Sequence, residues 1–271
     1  MKGKVLVRYW LKLLAEYFRL DVEDIDHVPR KGKVIILPNH SGFAGVDAVI
    51  LASLLRERAK RAPVLLAHRA YFDFSTWIKK LAEDFGLKKA GFDSAKEVLE
   101  RGHMLVLFPE GEAGNFKSTA DAYHLQEFHT GFVRLALSTG APVVPCIIIG
   151  AEESNLNIGN IDLTRFIANI RIPLPVNILP LPAKWSIRFL PEIDVATLIT
   201  KSANEVLASK NELRKVARKV RTIMQKELRR QVKRRPYIYS EALRGAINDV
   251  RRALRAVTPK LKRKPVEEDW P

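Results

Sequence analysis

Two short segments bring together residue types from which acid–base chemistry can be built: Asn39-His40-Ser41-Gly42 and Phe108-Pro109-Glu110-Gly111. An imidazole with an unperturbed pKa of ~6.5 can take a proton from a hydroxyl near neutral pH. Glu110 follows His40 by 70 positions. Each segment comes directly after an apolar run that reads as a buried strand, Val34-Ile35-Ile36-Leu37 and Met104-Leu105-Val106-Leu107. Polar residues that end such strands lie at the carboxyl edge of the sheet, where open α/β sheets bind their ligands. The chain is therefore expected to present an imidazole and a carboxylate to one crevice. Alternating strand and helix patterns from residue 33 to about 193 predict a single α/β domain. With 271 residues and 47% apolar content the chain can bury one sizeable core.

Further blocks follow in order: a helix over residues 95–102 ending in Leu99-Glu100-Arg101-Gly102, then Thr130-Gly131-Phe132-Val133-Arg134, Gly140-Ala141-Pro142-Val143-Val144-Pro145 and Gly150-Ala151-Glu152-Glu153. Over residues 15–195 the chain resembles the glycerolipid acyltransferase family, the 1-acylglycerol-3-phosphate acyltransferases and their relatives. The resemblance implies a mixed sheet flanked by helices and an O-acyltransferase with His40 as general base. It also implies an acid that orients the imidazole. The family's usual position for that acid is Gly45 here, and the first Asp after His40 is Asp47, to which the orienting role passes. The alternative for Asp47 is the N-cap of a helix over residues 48–55, and the two roles are compatible. Glu110 and Gly111 are implied to hold the acceptor, with Asn39 and Ser41 beside them. Glu110 would orient a hydroxyl or a basic side chain, and Gly111 would allow close backbone approach. Where the family usually has a phosphate-binding arginine this chain has Phe92. Lys88 and Lys89 could supply charge there, without an arginine's bidentate fork. Lys117 is a candidate phosphate contact, and Arg134 is either an anion contact or an ion-pair partner.

A free hydroxyl is a poor nucleophile at neutral pH, so acyl transfer from a thioester requires a base. No Gly-x-Ser-x-Gly segment is present, and the single cysteine, Cys146, sits in an apolar strand pattern. Direct attack by the acceptor hydroxyl on an acyl-CoA or acyl-carrier-protein thioester is thus expected, with no covalent acyl-enzyme and no cofactor. His124 and His129 stand five apart and no His-Glu-x-x-His occurs, so no metal site is expected. The expected acceptor is a lysophospholipid, lysophosphatidic acid first, with diacylglycerol or an acyl-amino lipid as the alternative. A non-catalytic protein that binds anionic lipid or nucleic acid is the rival reading. The tail lacks a nucleic-acid reader motif, so nucleic acid is not the expected partner.

Charge is distributed unevenly. Residues 201–271 hold 21 Lys and Arg against 8 Asp and Glu, a net of +13 out of +16 for the whole chain. Leu213, Val216, Val220, Ile223, Met224 and Leu228 interleave with these cations at helical spacing, which reads as a basic amphipathic helix suited to an anionic leaflet. The alternative is a helix packed on the core with a solvated basic face. A second helix is expected over 237–257. Residues 5–20 form another amphipathic segment, giving three expected parts: an N-terminal helix (1–20), the acyltransferase domain (21–200) and a basic helical extension (201–271). The proline-broken stretch 166–185 reads as an ordered loop on the acyl or membrane side, or equally as a plain core-covering loop, preceding a last strand over 185–190. An anionic membrane surface is the expected partner of 201–271 and of the N-terminal helix. No membrane span and no signal peptide are expected, and one unpaired cysteine fits a reducing compartment. The expected location is peripheral, on the cytoplasmic side of the cell membrane.

Overall fold

The computed structural model describes residues 12–40, 45–67, 87–89, 91–115, 117–162, 171–177, 179–235, 237–239 and 252, with the backbone alone for 67, 87–89, 115, 160–162 and 171–173. The run Val34-Ile35-Ile36-Leu37 forms β2 (Val34–Pro38), buried along its whole length. Its β-branched side chains suit a strand packed on both faces. The two-residue period of a strand sends Val34 and Ile36 into one core and Ile35 and Leu37 into the other.

Around β2 the seven-stranded sheet runs β1 (Asp21–Glu23), β9 (Ser186–Phe189), β6 (Val143–Ile149), β2, β5 (Met104–Val106), β3 (Val64–Ala67), β4 (Leu87–Lys89). All pairings are parallel except β6 with β9. The sheet is therefore mixed and flanked by helices, as expected. A separate antiparallel pair, β7 (Asn157–Asp162) and β8 (Arg171–Pro175), leaves the main sheet after β6. Part of the proline-broken stretch expected as loop is thus a strand. Pro173 and Pro175 lie in a two-stranded ribbon, whose outer edge needs no N–H donors.

One face of the sheet packs α1 (Val46–Glu57) with Phe18 and Trp185, whose rings stack at 4.5 Å. The other face packs α2 (Phe92–Glu100), α4 (Gly131–Thr139) and α7 (Lys210–Arg234). Short helices α3 (Gly111–Asn115), α5 (Ala151–Ser154) and α6 (Ala203–Ala208) fill the connections. Ser202 caps α6 with a reciprocal Glu205 box, and Ser209 caps α7.

The apolar stripe of α7 has a different partner from the expected one. Leu213, Val216, Val220, Met224 and Leu228 are buried in the same cluster as Val143 and Ile147 of β6. At ~1.5–3 kcal/mol per fully buried side chain, that packing amounts to roughly 10 kcal/mol. This is as large as a typical domain's whole stability, so the stripe is not free to enter lipid. Residues 210–234 of the expected extension belong to the packed body, and their cations form its solvated face. Most of the second helix expected over 237–257 lies outside the described residues.

Candidate active site

β2 ends at the carboxyl edge, and Asn39 fixes how it ends. The Asn39 Nδ2 donates to the Ile148 carbonyl at 2.9 Å, and the Ile148 N–H donates to Asn39 Oδ1 at 2.7 Å. The side-chain amide thereby extends the β2–β6 ladder by one rung. Asn39 is fully buried in doing so, which makes it a support for its neighbour rather than a substrate contact.

That neighbour is His40. Its Nδ1 lies 2.7 Å from Asp47 Oδ2. Because the partner is a carboxylate, Nδ1 carries the proton and the lone pair lies on Nε2. The imidazole is 15% exposed and Asp47 is fully buried, so of the pair only the ring reaches the surface. Nε2 has no hydrogen bond among the described residues. The Phe108 ring packs against the imidazole at 4.3 Å between centroids.

The displaced acid has a local cause. Gly45 takes the left-handed conformation, φ +69°, just before α1. A non-glycine residue pays for that conformation. The helix then starts at Val46, and Asp47 falls in its first turn, where Oδ1 accepts the Ala48 N–H at 2.8 Å. One carboxylate oxygen serves the helix end and the other serves His40. The two roles anticipated for Asp47 coexist, although Gly45 and not Asp47 occupies the N-cap position.

Glu110 turns inward. Its Oε1 accepts the backbone N–H of His40 at 2.9 Å, and Oε2 accepts that of Gln126 at 2.6 Å. Lys117 Nζ stands 3.3 Å from Oε2 and 2.7 Å from Glu152 Oε1. Of the two partners anticipated for Glu110, the structure supplies the basic side chain, and the fully buried carboxylate holds the His40-bearing strand end in place. Lys117 is not the exposed phosphate contact read from the sequence, for its side chain is only 4% exposed. Burial alone would lower its pKa, but Glu110 and Glu152 beside it prevail and hold it well above the usual lysine value. Burial also pushes the Glu152 carboxyl up.

Close approach is real in this region, but it is shared. Gly111 has φ +55°, and a Cβ there would come 3.0 Å from His129 Nε2. A Cβ on Gly114 would meet Glu110 Cβ at 2.5 Å and His40 Cβ at 2.9 Å. Gly114 is thus the residue that lets α3 lie against the imidazole-bearing strand end. Ser41 lies outside the described residues, as does the Lys89 side chain. At the start of α2, Phe92 carries the Arg134 guanidinium 4.9 Å over its ring. An arginine from the first turn of α4 therefore reaches the position where sequence comparison finds Phe92.

A second buried layer was not anticipated. Glu152 also accepts the Tyr123 N–H, and the Tyr123 hydroxyl donates to Glu153 Oε2 at 2.6 Å. Arg235, directly after α7, pairs with both Glu153 oxygens. Tyr123 has φ +63°, a left-handed backbone that a tyrosine keeps only when its surroundings impose it. Glu152 and Glu153 follow the end of β6, so the strand-end logic that singles out His40 and Glu110 applies to them as well. No group of three or more His, Cys, Asp or Glu side chains among the described residues is arranged to hold a metal ion.

Residues 19–149 match the Acyltransferase family. An uncharacterised protein of Mycobacterium tuberculosis (strain H37Rv) is 32% identical over 216 residues, which cover 75% of this chain and 59% of that protein. One of Mycobacterium leprae is 30% identical over 200 residues, or 69% and 54%. The chain thus spans little more than half the length of these relatives. Among solved structures, the 1-acyl-sn-glycerophosphate acyltransferase PlsC of Thermotoga maritima superposes with a TM-score of 0.54 over 87% of this chain and 84% of that one, at 17% identity. That likeness is one of fold. Residues 19–149 thus carry an acyltransferase-family domain, as the ordered motif blocks suggest.

Proposed function

We propose that the protein transfers a fatty acyl chain from an acyl thioester, on CoA or a carrier protein, to the hydroxyl of a lysophospholipid. The observation that carries this reading is the His40 Nδ1–Asp47 Oδ2 bond, which leaves the Nε2 lone pair of a partly exposed ring free to take a proton. His40 Nε2 takes the proton of the acceptor hydroxyl as its oxygen attacks the thioester carbonyl. Asp47 holds the tautomer and offsets the imidazolium charge. Collapse of the tetrahedral intermediate expels the thiolate, which recovers a proton from His40. The products are the acylated lipid and free thiol, and no cofactor is consumed.

Lysophosphatidic acid is the acceptor of first choice, and Arg134 is the residue that favours a phosphate-bearing one. Its guanidinium, carried by the first turn of α4, lies over the Phe92 ring, and the N-terminus of α4 adds the partial positive charge of a helix end. The protein would work at a membrane surface as a peripheral enzyme. No helix among the described residues is long and apolar enough to cross a bilayer.

The test is thiol release from acyl-CoA across lysophosphatidic acid, other lysophospholipids, diacylglycerol and acyl-amino acceptors. Fastest turnover with lysophosphatidic acid is expected, and turnover with diacylglycerol alone would reject the lysolipid reading. Arg134→Ala should raise KM for a phosphate-bearing acceptor about tenfold, the loss of a charge-assisted contact of ~1.5 kcal/mol, with kcat little changed. An unchanged KM removes Arg134 from the site.

A further inference from the structure

Water-facing ribbons of soluble proteins normally turn their polar residues outward. The β7–β8 ribbon does the reverse. Asn157 pairs with Pro175, the register shifts between Asn157 and Asn160, and Ile158 and Leu174 flank that pair while Val176 follows directly after β8. These three side chains are 36–44% exposed, and Leu179 just beyond is 80% exposed. Asn157 and Asn177, by contrast, are bonded into the body. The Asn157 N–H donates to Thr119 Oγ1 and its Nδ2 to the Lys117 carbonyl. The Asn177 Nδ2 donates to the Ser154 carbonyl, and its Oδ1 accepts the Leu156 N–H.

The patch continues sideways. Tyr17, also exposed, donates its hydroxyl to the Pro180 carbonyl at 2.7 Å. Six of the eight large apolar side chains that stand exposed among the described residues fall on residues 13–17 and 158–179. A cationic rim borders this area. The Arg19 Nη2 donates to the Pro182 carbonyl, and Arg19 and Lys184 both stand 5.6 Å from the exposed Tyr237 ring. Leucine and isoleucine at the centre, tyrosine at the edge and arginine with lysine outside is the depth order of a bilayer interface with anionic headgroups.

We infer that the outward face of the β7–β8 ribbon, with Leu179 and Tyr17, docks on an anionic lipid bilayer, so that membrane contact is made here and not through the apolar stripe of α7. The inference rests on the lysolipid reading for its consequence. The ribbon is bonded to the Lys117–Thr119 segment, whose Lys117 grips Glu110 behind His40, so the docked face adjoins the catalytic edge. A lysolipid would then reach His40 from the leaflet without crossing water.

The experiment is flotation of the full chain with phosphatidylcholine vesicles, with and without phosphatidylglycerol, in the absence of any acyl donor. Binding that is stronger with phosphatidylglycerol is expected. The quadruple variant Ile158→Thr, Leu174→Thr, Val176→Thr, Leu179→Ser should bind at least about tenfold more weakly, with an unchanged Tm because all four side chains are exposed. Wild-type binding by that variant overturns the proposal. So does sedimentation showing a wild-type dimer and a monomeric variant, which would assign the face to a second copy of the chain. His40→Ala should float like wild type. If no acceptor in the panel is acylated while flotation still depends on these four residues, the acyl-transfer reading fails and the docking surface stands.

Discussion

His40→Ala is expected to lower kcat for thioester consumption by ~10²–10⁴-fold, the range that a positioned general base contributes, while Tm stays near the wild-type value. The side chain sits at the crevice wall, so its removal opens no sealed cavity. Asp47→Asn is the sharper test. Asn Oδ1 can still accept the Ala48 N–H, so the start of α1 survives. The other atom toward His40 becomes an amide donor, which forces the proton from Nδ1 to Nε2 and leaves no lone pair facing the crevice. The expected loss in kcat is of the same ~10²–10⁴-fold order with little change in KM. The double variant should be no worse than His40→Ala alone, because the two residues act as one unit. Independent, multiplying losses would show that Asp47 does something other than orient the imidazole.

His40 and Glu110 were legible in the sequence through periodicity, whereas Asp47 was legible only through the family resemblance. Val34 to Leu37 and Met104 to Leu107 are apolar runs cut off by polar residues, and a strand's end fixes which edge those residues occupy. Periodicity names a face but not what covers it. The stripe Leu213–Val216–Val220–Met224–Leu228 was read correctly as helical and assigned to lipid, whereas β6 and α4 cover it. Side-chain direction was equally hidden. Asn39, Glu110 and Lys117 were singled out as substrate contacts, yet each is consumed by partners distant in sequence: Ile148 for Asn39, the His40 N–H for Glu110, Glu152 for Lys117. Such pairings depend on tertiary closure, which no local pattern encodes. Strand β8 escaped for another reason, since Pro173 and Pro175 break the stretch and prolines argue against a central strand, whereas a two-stranded ribbon accommodates them.

Lys117→Met is expected to destabilise the fold by ~3–5 kcal/mol, since it leaves the fully buried Glu110 and the nearly buried Glu152 without their shared cation. At roughly 2–4 °C per kcal/mol for a chain of this size, Tm should fall by about 6–20 °C. Methionine fills the volume, so the loss reports charge and not a cavity. The sign is decided by burial. On the surface the same ion pairs would contribute ~0–1 kcal/mol, and removal would pass unnoticed. Adding Glu152→Gln to Lys117→Met should recover part of the loss, because one of the two stranded carboxylates is then gone. Activity should not recover in parallel. With no cation at Oε2, Glu110 loses the partner that aims its Oε1 at the His40 N–H, and the imidazole loses its backbone anchor. A Lys117→Met protein with wild-type Tm would mean that Lys117 holds neither carboxylate.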